Sequence, residues 1–300
     1  MTHYLRRFVG SAVVAALCAL PASAVRSAPA VCGPEALGTA RTIEIGPQAQ
    51  PLGLQSYPRT LDLRDHEVVL TFDDGPAAPT GKVLDALAAE CVRATFFLIG
   101  HNAEASPALV KREVAEGHSV GHHSYSHPAA TLRGLSEAAA RADIDKGIAA
   151  DDKAAYGAAG VEPRVPFFRF PGFADTPALL AELEQRKITV FGSDIWASDW
   201  KTMTPQAELA LVMSRLEAAG RGIVLFHDSK AQTAQMLPDL LQALKRHGYS
   251  VVHIVPGDGP TPTRAAGPGW TSTTEPIIAR TLGGKVQAAP RATPPKDDGM

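Results

Sequence analysis

Short apolar runs alternate with amphipathic segments through the middle of the chain. The runs are rich in β-branched and aromatic residues and end at Gly, Pro or charged positions, which predicts buried strands at 67–72, 94–99, 166–170, 188–191, 222–226 and 250–255. Between them, apolar residues recur at helical spacing, which predicts helices at 83–91, 108–116, 135–149, 177–185, 205–219 and 234–247. Strand and helix therefore alternate over most of the chain.

This alternation predicts an α/β fold, with a mainly parallel sheet and the helices outside it. About six or seven strand–helix units in about 190 residues favour a distorted (β/α) barrel over an open sheet. We expect this domain at 63–256, preceded at 25–62 by an irregular extension rich in Gly, Pro, Gln and Thr. Residues 257–300 have few large apolar side chains and many Pro, Gly and Thr, which predicts a disordered tail that the fold does not need.

Residues 1–24 have the layout of a secretory signal peptide. Arg6 and Arg7 precede an apolar run at 8–20, and small residues at 22–24 follow as a cleavage site. The run is shorter than the roughly 20 residues that cross a bilayer, so we expect export to the periplasm or the exterior without stable membrane insertion after cleavage. Cys32 and Cys91 would then remain. We expect them to pair in an oxidising compartment, and the alternative is one buried thiol and one loop thiol.

The composition argues against some classes of partner. The 300 residues are 45% hydrophobic and 20% charged, with a formal net charge of -2, which is ordinary for a soluble globular protein. Such a balance gives no general attraction to nucleic acid or to anionic membranes, so we expect neither as a partner. Nothing in the sequence indicates the oligomeric state.

Polar side chains cluster at the carboxyl ends of the predicted strands, the edge at which parallel α/β folds build their active sites. The candidates are Asp73, Asp74, His122, His123, His127, Arg169, Asp194, Asp199 and His227. Taken singly, these residues have ordinary structural explanations. Asp-Asp-Gly-Pro is commonly a turn, and a histidine that ends an apolar strand is commonly a core residue.

Two histidine pairs have a spacing that could hold a metal ion. His123 and His127 are four residues apart, so on a helical turn they would share a face and could bind one metal. His118 and His122 have the same spacing, so the spacing alone does not choose between the pairs.

Taken together, the motifs resemble those of a known family. The runs TFDDGP at 71–76 and HSYSHP at 123–128 resemble the first two signatures of the polysaccharide deacetylases, carbohydrate esterase family 4, with a nodulation-protein-B-like domain. The remaining, looser signatures follow in the family's order: Arg169 with Pro171 and Gly172, then Asp199-Trp200, then Leu225-Phe226-His227. The resemblance covers residues 63–254.

The resemblance implies a role for each matched residue. Asp74, His123 and His127 would hold one divalent metal, Zn²⁺ in the first place, with Co²⁺ or another divalent ion as alternatives. Asp73 would be the catalytic base, Arg169 would orient it, and His227 would be the general acid. Trp200 and Leu225 would wall the pocket for the acetyl methyl group, and His118 and His122 would be bystanders. The implied activity is removal of N-acetyl groups from a polysaccharide such as peptidoglycan, a chitin oligosaccharide or an exopolysaccharide.

The chain departs from the family pattern at two places. Phe-Pro-Gly-Phe follows Arg169 where the common form is Pro-Pro-Tyr-Gly, so Gly172 is our first choice for the residue that supplies the oxyanion N–H. Trp196 stands where the family usually has an aspartate, so either Asp194 or Asp199 could orient His227.

Three alternatives compete with a deacetylase. An O-acetyl esterase of the xylan type would have the same site. A non-catalytic wall-binding protein would keep the metal but would have no use for Asp73, Arg169 and His227. A glycoside hydrolase would need paired carboxylates across a sugar cleft, whereas one member of the adjacent Asp73-Asp74 pair is assigned to the metal.

Overall fold

The computed structural model describes residues 1, 32–47, 50–160 and 162–282. Its strands are β1 Thr39–Ile45, β2 Arg59–Leu61, β3 Glu67–Asp73, β4 Thr95–Leu98, β5 Ser119–His122, β6 Phe167–Phe168, β7 Thr189–Val190, β8 Ile195–Trp196, β9 Gly222–His227, β10 Ser250–Pro256 and β11 Thr263–Ala265. Its helices are α1 Thr80–Ala89, α2 Gly100–Ala105, α3 Pro107–Ala115, α4 Glu137–Tyr156, α5 Pro177–Gln185, α6 Pro205–Ala219, α7 Ala231–Arg246 and α8 Thr274–Thr281, with short 3₁₀ turns at Leu132–Gly134 and Pro171–Phe173. The predicted signal peptide lies outside the described residues, apart from Met1.

Nine strands form one sheet in which the paired strands run parallel. The order is β1-β10-β3-β4-β5-β6-β7, and β9 pairs with β3 and with β8. The strands β3-β4-β5-β6-β7 and β8-β9 therefore form a ring that is closed except between β7 and β8, which residues 191–194 connect. At this gap, Leu52 forms an isolated parallel β-bridge with Phe191. The structure confirms the predicted distorted (β/α) barrel.

Alternation along β3 separates two hydrophobic clusters and sets the direction of the acidic pair. Val68, Leu70 and Phe72 pack in the cluster that includes α1, α6 and α7, whereas Val69 packs with residues of the barrel interior. Since successive side chains of a strand point to opposite faces, Asp73 points with Val69 into the barrel. Every residue of β3 is buried, as expected for a central strand of a parallel sheet.

The N-terminal extension is more regular than predicted. β1 pairs in parallel with β10, and Ile43 and Ile45 are buried. Leu52 and Leu61 are fully buried in the interior cluster. The prediction of an irregular surface extension at 25–62 is therefore wrong for these residues, because pairing with a distant strand supplies the order that their local sequence does not.

The predicted disulfide is confirmed. Cys32 and Cys91 are bonded, with their Cα atoms 5.9 Å apart. The bond ties the segment that precedes β1 to the end of α1, so the edge strand and the barrel are linked covalently as well as by hydrogen bonds.

The prediction of a disordered tail is wrong for residues 257–282, and residues 283–300 lie outside the described part of the chain. β11 pairs antiparallel with β2, and α8 follows it. Trp270 Nε1 donates to the Leu54 carbonyl oxygen at 2.8 Å, and the Thr273 N–H donates to the Gln55 carbonyl oxygen at 2.8 Å. The segment folds because it binds main-chain acceptors of the N-terminal extension, although it has few apolar residues of its own.

α8 is fixed by an ion pair on one side and by burial on the other. Arg133 donates to both carboxylate oxygens of Glu275, at 2.6 and 3.0 Å, and also to the Asp175 carbonyl oxygen at 2.6 Å. Ile278 is 5% exposed. An isolated helix of this length would not be stable in water, so these contacts hold it.

Among the described residues, no helix is long and apolar enough to cross a bilayer.

We expect truncation after Pro256 to destabilise the protein. It removes α8 and Trp270 and leaves Arg133, whose side chain is 5% exposed, without Glu275. Scanning calorimetry should show a melting temperature lower by roughly 5 °C or more. A truncation after Leu282, which keeps every described element, is the matched control. Equal melting temperatures for the two truncated chains would show that the folded segment contributes nothing to stability.

Candidate active site and metal centre

The predicted polar residues meet at the carboxyl edge of the barrel. They line a cleft of about 620 Å³ whose floor consists of Asp73, Asp74, His123, His127 and His227. Asp73 ends β3, His227 ends β9, and the other histidines follow β5. Because neighbouring parallel strands end at the same edge, residues far apart in sequence come together there.

The turn after β3 holds Asp74 in an unusual backbone conformation. Asp74 has φ 71°, and its carbonyl oxygen accepts a 2.9 Å hydrogen bond from Asn102 Nδ2. The Asp228 carboxylate packs against Gly75, where an added Cβ would lie 2.1 Å from Asp228 Oδ2. Gly75 is therefore required for this close approach. Left-handed backbone at a non-glycine residue costs about 1–3 kcal/mol and is concentrated at functional sites.

The loop after β5 brings His123 and His127 together without a helix. Ser124 and His127 have φ 67° and 44°, so the predicted shared helical face is wrong. Asp143 of α4 shapes the loop, since its carboxylate accepts from Ser126 Oγ at 2.6 Å and from two main-chain N–H groups. The His123 and His127 ring centroids are 5.1 Å apart, so the loop produces the convergence that the spacing indicated.

Asp74, His123 and His127 form a cluster that can hold a metal ion, called the metal-type cluster below. One potential ligand atom from each lies within 4.8 Å of the other two, and both imidazole Nε2 atoms are 3.6 Å from Asp74 Oδ1. That oxygen is buried and has no hydrogen-bond partner, which is a costly arrangement unless a cation binds it. One carboxylate and two imidazoles suit zinc and leave coordination positions open.

His123 is held in its neutral form. Its Nδ1 lies 2.7 Å from the Arg169 carbonyl oxygen, so the ring donates there and leaves Nε2 directed at Asp74. Burial, together with the neighbouring His127, lowers the pKa of His123 to about 3. A neutral imidazole is the form that binds a metal.

Asp73 lies beside the cluster and is paired with a buried arginine. Arg169 Nη1 donates to Asp73 Oδ1 at 2.7 Å and to Thr71 Oγ1 at 2.9 Å, and its Nη2 donates to the Gly192 carbonyl oxygen. Burial raises the pKa of Asp73, and the charge and hydrogen bond of Arg169 oppose that rise. The second oxygen, Oδ2, is 3.9 Å from His123 Nε2 and is directed toward the cluster.

His227 faces the same cluster from β9. Its Nε2 is 3.9 Å from Asp74 Oδ2, and its Nδ1 is 2.7 Å from Asp199 Oδ1. Burial lowers the pKa of His227, but the hydrogen bond and charge of Asp199, with the charges of Asp74 and Asp73, outweigh it and raise the pKa to about 9. The ring is therefore protonated at neutral pH.

Of the two aspartates left open by the sequence, Asp199 contacts His227. Asp194 lies elsewhere: its carboxylate accepts from the Leu54 N–H, the Thr60 hydroxyl and the Ile223 N–H, each at 2.8 Å. Asp194 therefore holds the N-terminal extension against β9, and its assignment as a partner of His227 is wrong.

Thr233 and Glu208 extend the hydrogen bonds behind His227, and the sequence did not indicate either. Thr233 Oγ1 is 2.8 Å from Asp199 Oδ2 and 3.0 Å from Glu208 Oε1. A hydroxyl has one proton, so it cannot donate to two carboxylates at once; a protonated Glu208 can donate to Thr233 while Thr233 donates to Asp199. Burial, with the charge of Asp199, raises the pKa of Glu208 to about 7.

The remaining predicted residues line the cleft walls. Leu225 is buried, Trp200 is 46% exposed, and the Trp200 ring centroid is 6.1 Å from that of His227. Gly172 also lines the cleft, with φ 59°, and its predicted role in the oxyanion site stays a prediction.

Trp196, at the position where the family usually has an aspartate, stacks near Phe173 with ring centroids 6.2 Å apart. It therefore adds to the cleft wall. Thr274, Ile277 and Arg280 of α8 line the same cleft. The sequence did not indicate them, because this segment was predicted to be disordered.

His118 and His122 lie away from the metal-type cluster, as the resemblance implied. His122 Nδ1 is 2.9 Å from Asp151 Oδ2, with both side chains fully buried. The His118 ring packs edge-on against Phe96 and accepts from the Ala94 N–H. Their i, i+4 spacing therefore serves the core.

The chain is similar to known proteins in sequence and in fold. The family model described as polysaccharide deacetylase matches residues 61–191. A peptidoglycan-N-acetylglucosamine deacetylase of Bacillus cereus is 34% identical over 190 residues, which are 60% of this chain and 66% of that protein. The chain therefore spans just under two thirds of that relative's length.

Solved structures of similar proteins share the fold. A peptidoglycan deacetylase of Bdellovibrio bacteriovorus has a TM-score of 0.64 and 30% identity, covering 82% of this chain and 65% of its own. A family 4 carbohydrate esterase of Streptomyces lividans, in complex with acetate, has a TM-score of 0.52 and 32% identity, covering 64% of this chain and 91% of its own.

The protein is thus a (β/α) barrel with a cluster of Asp74, His123 and His127 at the carboxyl edge of its sheet. The chain belongs to the polysaccharide deacetylase family, carbohydrate esterase family 4.

We expect Glu208→Gln to change how stability depends on pH. The folded protein holds the Glu208 proton up to about pH 7, whereas the carboxyl group ordinarily releases it near 4.5, so wild-type stability falls as pH rises between these values. Glutamine has no proton that titrates in this pH range, and its amide can still donate a hydrogen bond to Thr233. The melting temperature of the variant minus that of wild type should therefore increase by roughly 5 °C from pH 5 to pH 8. A gap that stays constant with pH would contradict the raised pKa.

Proposed function

We propose that this protein is a divalent-metal-dependent hydrolase that removes N-acetyl groups from an amino-sugar polysaccharide. The observation that carries the proposal is the arrangement around one point: Asp74, His123 and His127 converge there, Asp73 with Arg169 lies on one side, and His227 with Asp199 faces it. A non-catalytic metal protein would need only the first three residues.

Zinc suits the Asp-His-His donors and would supply Lewis-acid polarisation of the acetamido carbonyl and a lowered pKa for a bound water. Asp73 takes the proton from the attacking water. Its raised pKa makes it a stronger base than an exposed aspartate, and Arg169 keeps one of its oxygens occupied so that the other faces the reacting atoms.

His227 supplies the proton that the departing amine requires. With a pKa raised to about 9 it carries that proton at neutral pH, and Asp199 orients the ring so that Nε2 faces the cleft. An amide needs its leaving nitrogen protonated more than an ester needs its leaving oxygen protonated, so this proton donor matters most for an N-acetyl substrate, although an O-acetyl esterase would have the same site. Trp200 and Leu225 border the space for the acetyl methyl group.

Peptidoglycan is the polymer that the names of the Bacillus cereus and Bdellovibrio bacteriovorus relatives give. A cell-wall substrate agrees with the signal-peptide pattern at residues 1–24 and with a disulfide, which persists in oxidising compartments. We therefore take an exported protein acting on a wall glycan as the working function.

Substitution of the two adjacent aspartates should have different consequences. Asp73→Asn keeps an oxygen that can accept from Arg169, so the protein should retain one metal per chain yet lose at least about 100-fold in acetate release, the scale of a positioned general base. Asp74→Asn should weaken metal binding, and excess metal should restore part of its activity. Elemental analysis, acetate assay and melting temperature together measure this. Unchanged metal content and acetate release in both variants would reject the proposed function.

His227→Ala should discriminate between substrates according to their leaving group. The variant loses the proton donor, so acetate release from an N-acetyl glycan should fall by roughly 100-fold or more. Hydrolysis of an activated aryl acetate should fall far less, because its leaving group departs without a proton. Equal losses on both substrates would mean that His227 acts on binding or folding.

A further inference from the structure

α8 gives the cleft a wall with a positive charge. Its Thr274, Ile277 and Arg280 are spaced three residues apart and line the cleft, whereas Glu275 and Ile278 face the protein. Residues 61–191, which the family model matches, do not include this helix. The wall therefore comes from the part of the chain that follows the matched residues.

The cleft rim is cationic although the whole chain carries a net charge of -2. Lys201, Arg215 and Arg280 all line it, and the carboxylates that line it, Asp73 and Asp74, lie at the metal-type cluster. Arg215 uses its guanidinium on the Trp196 carbonyl oxygen and on Ser198. Lys201 and Arg280 are exposed, and within the described residues neither side chain forms an ion pair or a hydrogen bond.

The rim also carries exposed apolar surface of the kind that sugar rings pack against. Apart from Met1, the large apolar side chains exposed in the described part of the chain are Trp200, at 46%, and Ile277, at 41%. Both line the cleft. Exposed apolar groups gathered at one place and bordered by polar residues mark a binding surface.

We propose that Arg280, assisted by Lys201, binds a carboxylate carried by a sugar next to the one that is deacetylated. The protein would then prefer an anionic amino-sugar polymer to a neutral one. This inference rests on the proposed function, because it concerns the substrate of the same cleft. The guanidinium fork suits a carboxylate, and Arg133 with Glu275 fixes the helix that presents it.

The test compares four glycans. The first is a peptide-free glycan in which alternate N-acetylated sugars bear an ether-linked carboxylate, and the second is the same glycan with those carboxylates reduced to alcohols. The third is a neutral N-acetylglucosamine oligomer. The fourth is the glycan of the first type with peptides joined to its sugar carboxyl groups by amide bonds, so that its carboxylates lie on the peptides and not on the sugars.

For wild type, we expect KM to be roughly tenfold lower on the carboxylate glycan than on the reduced glycan, the scale of a charge-assisted contact in a partly exposed site. Arg280→Gln should abolish that difference in KM, while kcat and the KM for the neutral oligomer change little. Arg280→Lys should keep part of the difference. Arg246→Gln, the same charge change on the exposed end of α7, is the matched control. The preference should also weaken at high salt.

A fall of equal size on neutral and anionic glycans for Arg280→Gln, or no preference in wild type, would overturn the inference. A preference seen only with peptides attached would move the carboxylate to the peptide and also overturn it. Isothermal titration calorimetry of wild type and Arg280→Gln with the carboxylate glycan and with the reduced glycan measures binding affinity separately from catalysis. If no glycan releases acetate, the proposed function fails, while the titration still decides whether Arg280 selects the carboxylate.

Discussion

A fully buried guanidinium is the element on which the site depends. Arg169 is 0% exposed and lies within the barrel, with its charge over the Phe97 ring at 4.3 Å. A buried charge is tolerated only when it is paired and its donors are satisfied. Asp73, the Thr71 hydroxyl and two carbonyl oxygens at the end of β7 do this, so one side chain connects β3 to the gap in the ring.

The same residue also organises the metal-type cluster. The Arg169 carbonyl oxygen fixes the ring of His123, while its guanidinium fixes Asp73. Asp73 and His123 are therefore positioned relative to each other by a single residue, which directly follows β6. Loss of the arginine would release both, and breaking a buried pair by removing one partner costs about 3–5 kcal/mol.

The regular part of the barrel could be predicted from the sequence because local pattern and tertiary burial agree there. The helices predicted at 177–185 and 205–219 coincide with α5 and α6, and the strand predicted at 250–255 is β10 with one residue added. Each of these elements has an apolar face that its own residues define. The site residues Asp73, Asp74, His123 and His127 were found because two dense motifs carry them.

The errors fall where order comes from distant contacts. β1 depends on β10, and α8 depends on Arg133 and on the main chain near Gln55, so neither has a local signal strong enough to predict it. The loop that holds Ser124 and His127 at left-handed φ packs against α4 at Ser124, where an added Cβ at Gly147 would lie 2.6 Å from the Ser124 carbonyl carbon. Spacing alone suggested a helix, whereas the loop is shaped by Asp143.

The position of α8 separates two properties that enzymes often combine in the same residues. Asp73 and His227 are held at the cleft floor by buried pairs with Arg169 and Asp199, whereas the outer cleft wall is attached to the outside of the barrel through one ion pair, a buried Ile278 and a few main-chain hydrogen bonds. Substitutions on the exposed face of α8 can therefore accumulate without disturbing the buried charges. Selection could retune which polymer this protein recognises while the reaction centre stays unchanged.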